Sequence, residues 1–179
     1  MTATDALRDL FPEHARDIKL NLQAVLTDGP LSVPQRWGVA VASAVAARNP
    51  TLTQALTADA RAATSDALLD DTFAAASLMA MNNVYYRFNH LIAKPSYAAL
   101  PARLRMNRLA KPATNRTDFE LFSLAVSAIN GCEVCIRSHE KVVIEGGLTE
   151  EQVQHAIRIA ATVNAAAVAL ELVSADGQR

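Results

Sequence analysis

Apolar residues recur along this chain at three- and four-residue steps from end to end, while the strict apolar/polar alternation of a half-buried strand is nearly absent. Ala15, Ile18, Leu22 and Val25 share one helical face after Pro12, a residue suited to a first helical position, and Thr27-Asp28-Gly29-Pro30 stops that helix. Ser32-Val33-Pro34-Gln35 reads as a capping box with proline in the first turn and predicts a helix to about Ala47, broken by Asn49-Pro50. Two further helices are expected over 51–65 and 69–91. The segment from Lys94 to Thr117 carries Pro95, Pro101 and Pro112, which makes it a connector with room for one short helix. Thr117-Asp118-Phe119-Glu120 opens the next helix, and Asn130-Gly131 ends it after Ile129. Cys132 starts another that lasts to about Glu145 and is closed by Gly146-Gly147. Thr149-Glu150-Glu151-Gln152 is a second capping box, leading into an apolar face of Val153, Ala156, Ile157, Ala160 and Val163. The expected class is all-α.

A faint internal repeat runs through these helices. Laying Val45, Ala47 and Asn49 over Val126, Ala128 and Asn130 also puts Asn83 over Asn164. The expectation is one helical domain over 1–179, with halves at about 32–92 and 117–175 joined by the proline-containing connector.

Composition sharpens this picture. The 179 residues are 51% hydrophobic but only 5% aromatic, so Ala, Val and Leu must fill the core and helices can approach closely. The net charge of -1 comes without a basic stripe, which argues against a nucleic-acid binder. Apolar runs such as Ile159–Val173 look interrupted or short for a membrane span of about 20 residues. The opening MTATDALRDLFPEHARD has neither the basic nor the apolar region of a signal peptide, so a cytosolic location is expected. In a reducing cytosol, two cysteines three residues apart suggest redox chemistry or a metal rather than a disulfide scaffold.

The chemistry-bearing constellation is Glu120, Cys132-Glu-Val-Cys135 and His139. Helical spacing puts 132, 135 and 139 on one face, with Cys135 and His139 as i, i+4 neighbours. Gly131 ends one helix so that Cys132 falls at the start of the next, where free N–H groups and the macrodipole favour a thiolate. A thiolate attacks peroxides and disulfides, and a second cysteine nearby captures the oxidised product before over-oxidation. The competing reading is zinc held by Cys132, Cys135 and His139 with Glu120 or His155 as fourth ligand, although the second spaced ligand pair of a structural zinc site is missing. Glu120 also has two readings: the acid of a capping box opened by Thr117, or a partner of the site.

The remaining candidates are weaker. His14 and His90 read as surface or capping groups, and His155 as an interface or partly buried histidine. Met79, Met81, Tyr85, Tyr86 and Phe88 read as core or subunit interface, and Arg137 and Lys141 as solvated charges. The sequence contains no phosphate-binding glycine loop, nucleophile elbow or dinucleotide fingerprint, so no bound cofactor is expected and electrons would come from an external dithiol.

The stretch F119-E-L-F-S-L-A-V-S-A-I-N-G-C-E-V-C-I-R-S-H139 resembles the active-site segment of the alkyl hydroperoxidase D family, within the group sharing the carboxymuconolactone decarboxylase-like helical fold. The likeness extends to D17-I-K-L-N-L22, the A-A-R-N-P run ending at Pro50, M81-N-N-V84 and L104-R-M-N107. It implies a two-fold internal repeat and a homotrimer. It further implies a peroxidase that reduces alkyl hydroperoxides and regenerates a partner peroxiredoxin. The reductant would be the lipoyl group of a 2-oxoacid dehydrogenase component, recharged by dihydrolipoamide dehydrogenase. By resemblance Cys135 attacks the peroxide and forms the sulfenic acid, His139 and Glu120 help deprotonate it, and Cys132 donates a proton and closes the disulfide. The helix dipole taken alone favours Cys132 as the more acidic thiol, but the i, i+4 histidine gives Cys135 a specific base. One departure stands out: Val134 replaces a histidine that some members carry before the second cysteine. A decarboxylase-like enzyme of the same fold is the alternative, and the cysteine pair argues against it.

Overall fold

A computed structural model describes residues 1–176 as ten α-helices and one 3-10 turn, with no strand among the described residues. In order they are α1 (Ala3–Arg8), the turn Glu13–Ala15, α2 (Arg16–Thr27), α3 (Val33–Ala47), α4 (Pro50–Ala63), α5 (Asp66–Ile92) and α6 (Pro95–Ala98). The last four are α7 (Asn107–Ala110), α8 (Arg116–Ile129), α9 (Glu133–Glu145) and α10 (Glu150–Asp176). The all-α class holds. Both capping boxes form: Gln35 N donates to Ser32 Oγ and Gln152 N to Thr149 Oγ1, with each glutamine oxygen accepting in return from the capping residue's N–H. The trio α3–α4–α5 runs 15, 14 and 27 residues and α8–α9–α10 runs 14, 13 and 27, lengths that agree with the expected repeat without establishing it.

The structure departs from the sequence pattern at three places. Helix α1 was not announced by apolar periodicity. Its Thr2–Asp5 capping box starts it, and the Asp59 carboxylate of α4 accepts from Ala3 N and Thr4 N. The connector holds two single-turn helices rather than one. It is tied to α5 by Asp71, a fully buried carboxylate that accepts from Ala113 N, Thr114 N and Thr114 Oγ1 at 2.7 Å each and from Arg108 at 2.9 Å. Finally, α8 is capped by Asn115 and not by Thr117. Asn115 Oδ1 accepts from Asp118 N at 2.8 Å, which makes Asp118 the third helical residue. Asparagine outranks threonine as a cap, and Thr117 instead packs its side chain against Gly146, where a Cβ would stand 2.4 Å from the hydroxyl. Glu120 is thereby excluded from a capping box.

Helices α3 and α8 form the centre. Val39 to Ala44 of α3 are completely buried, and Phe119 to Ser127 of α8 are buried without a break. A helix apolar on all sides can be stable only when covered all round. Here α3 packs against α4, α5, α8 and α10. The approach is closest at Gly38, whose absent Cβ leaves the place taken by the Phe122 ring. The segment Glu150–Val173 of α10 is long and apolar enough to cross a membrane by length and composition, more so than the run Ile159–Val173 suggested. Its Ala156, Ile159, Ala160, Val163, Ala166 and Ala167 are buried, on a helix that packs on α2, α3 and α8.

His155 of α10 is more deeply buried than expected. Its Nε2 lies 3.2 Å from the Val25 carbonyl, Nδ1 has no partner, and the ring fills the space beside Gly29. Burial holds its pKa below the usual histidine value, reinforced by the positive charges of Arg158 and Arg36 against the opposing pull of the Val25 carbonyl and Asp28. The folded state therefore resists a proton that the unfolded chain accepts. Stability is full above the unfolded histidine value of 6.5 and is lost as pH falls below it. We predict that the thermal midpoint falls between pH 7 and pH 5 with a contribution of up to about 1.4 kcal/mol per pH unit from this residue, and that His155→Gln flattens the slope. An unchanged slope in the variant would contradict the assignment.

Candidate redox site

The site lies where α5, α8 and α9 meet, and a tight turn places its cysteines. Helix α8 ends at Asn130, and Gly131 takes the left-handed conformation with φ at 63°. Gly131 N then donates to the Ala128 carbonyl and Cys132 N to the Ser127 carbonyl, the two bonds of a Schellman motif. The chain reverses within one residue, so Cys132 is both the end of that motif and the N-cap of α9. No atom crowds the position of a Gly131 Cβ, so the glycine is required for its backbone angle rather than for space. The turn is anchored to α5 through side chains. Asn83 Nδ2 donates to Ser127 Oγ at 2.9 Å, Asn130 Nδ2 donates to Asn83 Oδ1 at 2.9 Å, and Arg87 donates to the Asn130 carbonyl.

Cys132 and Cys135 are joined as a disulfide, with Cα atoms 5.3 Å apart. Cys132 is wholly buried, whereas Cys135, the third residue of α9, is 7% exposed and lines a cavity of about 630 Å³. One turn further, His139 points its Nδ1 at Glu120 Oε2 across 2.6 Å. Glu120 sits in the run of α8 that is buried throughout, and a carboxylate there needs a hydrogen-bonded partner. Arg116, mostly exposed on the same helix, is 3.9 Å from its other oxygen. The second imidazole nitrogen, Nε2, meets Met79 Sδ at 3.2 Å. The cavity wall is otherwise largely apolar, with Met106 and Leu109 from the connector side and Val134 and Val142 from α9.

The four residues singled out by sequence are thus brought together, Glu120 in its partner role and not as a cap. His155 is not among them: it lies between α2 and α10 and could not complete a site with the cysteines. His14 is exposed. His90, at the end of α5, is also at the surface, 3.5 Å from Glu133. Arg137 and Lys141 are solvated charges paired with Glu133 and Glu145 along the helix. Glu133, flanked by Arg137 and His90, is held below the usual carboxylate range by the Arg137 hydrogen bond first and the Arg137 and His90 charges after it. Val134 is 39% exposed and lines the cavity. Met79 is in the core as expected and also lines this cavity, directly on the histidine, and Tyr86 lines the cavity as well. Asn82 and Asn83 received no role. The i, i+3, i+7 spacing of 79, 82 and 86 was the available signal, because it puts all three on one stripe of α5.

Known proteins place the chain independently of this geometry. A model of the carboxymuconolactone decarboxylase family matches residues 95–175. The chain is 66% identical over 172 residues to an alkyl hydroperoxide reductase AhpD of Anaeromyxobacter dehalogenans, covering 96% of this chain and 92% of that one. A protein of the same name from Gluconacetobacter diazotrophicus is 50% identical, with 97% and 95% covered. Another from a Methylobacterium species is 51% identical, with 96% and 97% covered. Likeness at this level over nearly the whole of each chain shows that the protein belongs to the alkyl hydroperoxide reductase AhpD family of the carboxymuconolactone decarboxylase-like helical proteins.

Proposed function

We propose that the protein is an antioxidant thiol peroxidase that reduces alkyl hydroperoxides at Cys132 and Cys135, using an external dihydrolipoyl group as reductant. The observation that carries this reading is a disulfide whose outer cysteine lines a cavity beside a buried Glu120 bonded to His139. Cys135 is the attacking residue. Its burial is incomplete and it borders the cavity, whereas Cys132 is wholly covered and suited to the resolving role. Its proton passes to His139, whose Nδ1 is occupied by Glu120, so Nε2 is the nitrogen that exchanges protons with sulfur. The thiolate sulfur bonds to the terminal peroxide oxygen, the O–O bond breaks, and the departing alkoxide takes the proton held by the pair. Cys132 then attacks the sulfenic acid, an S–S bond forms and water leaves. A dihydrolipoyl dithiol returns both cysteines to thiols and becomes a cyclic disulfide.

The reductant belongs to a lipoylated 2-oxoacid dehydrogenase component recharged by dihydrolipoamide dehydrogenase, and the same chemistry regenerates a partner peroxiredoxin through a mixed disulfide at Cys135. The protein works in the cytosol as a homotrimer. Support for assembly comes from α5, where Val84, Phe88 and Leu91 expose 60%, 47% and 74% of their surfaces along one helical face. The decarboxylase-like alternative has the family match over residues 95–175 behind it, whereas the relatives alike over nearly the whole chain are named alkyl hydroperoxide reductases.

Peroxide consumption with dihydrolipoamide as sole electron source tests the proposal. Steady turnover is expected, with none when NADH or NADPH is supplied alone, and adding an oxidised peroxiredoxin reads the second role. Failure with every lipoyl donor would remove the claim. In the same assay Glu120→Gln keeps the hydrogen-bonding shape but not the charge, and turnover should fall by ~10²–10⁴-fold with little change in thermal midpoint. Unchanged turnover would leave Glu120 a structural partner of His139 only. Light scattering at micromolar concentration should give three times the chain mass; a stable monomer would contradict the trimer.

A further inference from the structure

Two adjacent asparagines on α5 have opposite surroundings. Asn83 is 1% exposed and bonded to Ser127 and Asn130, so its amide is accounted for by the fold. Asn82 is 4% exposed, yet its Oδ1 is buried with no hydrogen-bond partner, and its carboxamide makes no hydrogen bond to any described residue. A buried carbonyl oxygen left unpaired costs about 1–3 kcal/mol, and the same side chain keeps an amide N–H with no hydrogen bond, a donor it can offer to a ligand. Asn82 lines the same cavity as Cys135 and His139. It sits on the α5 stripe between Met79, which touches the histidine, and Tyr86, which also lines the cavity.

We infer that Asn82 is a substrate-binding residue whose carboxamide grips the peroxide group of an alkyl hydroperoxide in front of Cys135. The inference rests on the peroxidase reading above. An alkyl hydroperoxide has only two polar atoms, and the Met106, Leu109 and Val142 side of the cavity offers its alkyl part an apolar wall. As the Cys135 thiolate bonds to the terminal oxygen and the O–O bond breaks, the electron pair settles on the oxygen bound to carbon. That oxygen becomes an alcohol by taking the proton held by His139 and Glu120. Donation from the Asn82 amide N–H, which makes no hydrogen bond to any described residue, stabilises the charge while it develops, before the proton arrives. Glu120 and His139 are already committed to each other, and Asn82 is the most buried of the neutral polar residues on the cavity, beside Tyr86 and Ser138, and can hold the peroxide without exchanging protons with it.

Asn82→Leu, close in shape and apolar, tests this through the separate half-reactions. Reduced enzyme is mixed with tert-butyl hydroperoxide and thiol loss is followed; oxidised enzyme is mixed with dihydrolipoamide and thiol gain is followed. The peroxide step should slow by about 10²-fold, the loss typical for one preorganised donor, while its pH profile keeps its shape because an amide does not titrate. Reduction of the disulfide should change little, since its departing groups are sulfurs already placed by α9. The thermal midpoint should stay or rise, because an apolar side chain replaces an unpaired buried amide. An unaffected peroxide step in an active background would overturn the inference alone. Parallel loss of both steps together with the midpoint would overturn it in favour of a structural role. Wild-type enzyme inert toward the peroxide would overturn the peroxidase reading and this inference with it.

Discussion

A carboxylate within the most buried helix of the fold is the constraint on which the site depends. Glu120 follows Phe119 and precedes Leu121 and Phe122 in a run of α8 covered throughout, where an unpaired negative charge would be far more costly than any packing gain. The imidazole of His139 answers it at 2.6 Å. Because His139 lies one turn beyond Cys135, the bond that satisfies the core also fixes α9 against α8 and holds the imidazole near the Cys135 sulfur. Fold and chemistry therefore use one contact, and a change that loosens it acts on both.

The turn between the two helices is equally economical. Gly131 in the left-handed region completes the carbonyl bonding of α8 and redirects the chain so that α9 begins immediately. Any other L-residue there would pay about 1–2 kcal/mol in backbone strain. The Asn83–Ser127–Asn130 bonds hold this corner to α5, the helix that also supplies Met79 and Asn82 to the cavity. Asp71, near the other end of α5, gathers the connector whose Met106 and Leu109 form the far wall. Three segments distant in sequence are thus fastened to one long helix.

Much of this was legible from sequence because it rests on local rules. Capping boxes at Ser32 and Thr149, the Asn49-Pro50 break and the glycines after α8 and α9 state helix ends directly, and Cys132, Cys135 and His139 declare their chemistry by spacing. What was missed rests on long-range partners. Helix α1 owes part of its N-terminus to Asp59, more than fifty positions away. Asp71 reads as one more acid on a helix until the backbone amides of Ala113 and Thr114 reach it. The identity of the α8 cap turned on Asn115 competing with Thr117, a choice two residues wide that decided the role of Glu120. The stripe of 79, 82 and 86 sets Asn82 apart from Asn83, but the partners that pair Asn83, Ser127 and Asn130, lie more than forty positions away.

The central claim is that the buried pair serves Cys135 and that Cys132 waits behind it. Replacing the resolving residue leaves the sulfenic acid with no partner to capture it, so it can be labelled and located by mass spectrometry. Cys132→Ser treated with one equivalent of an alkyl hydroperoxide and a sulfenic-acid probe should carry the label on Cys135, and Cys135→Ser treated identically should carry none. Label on Cys132 in the second variant, with none on Cys135 in the first, would contradict the account.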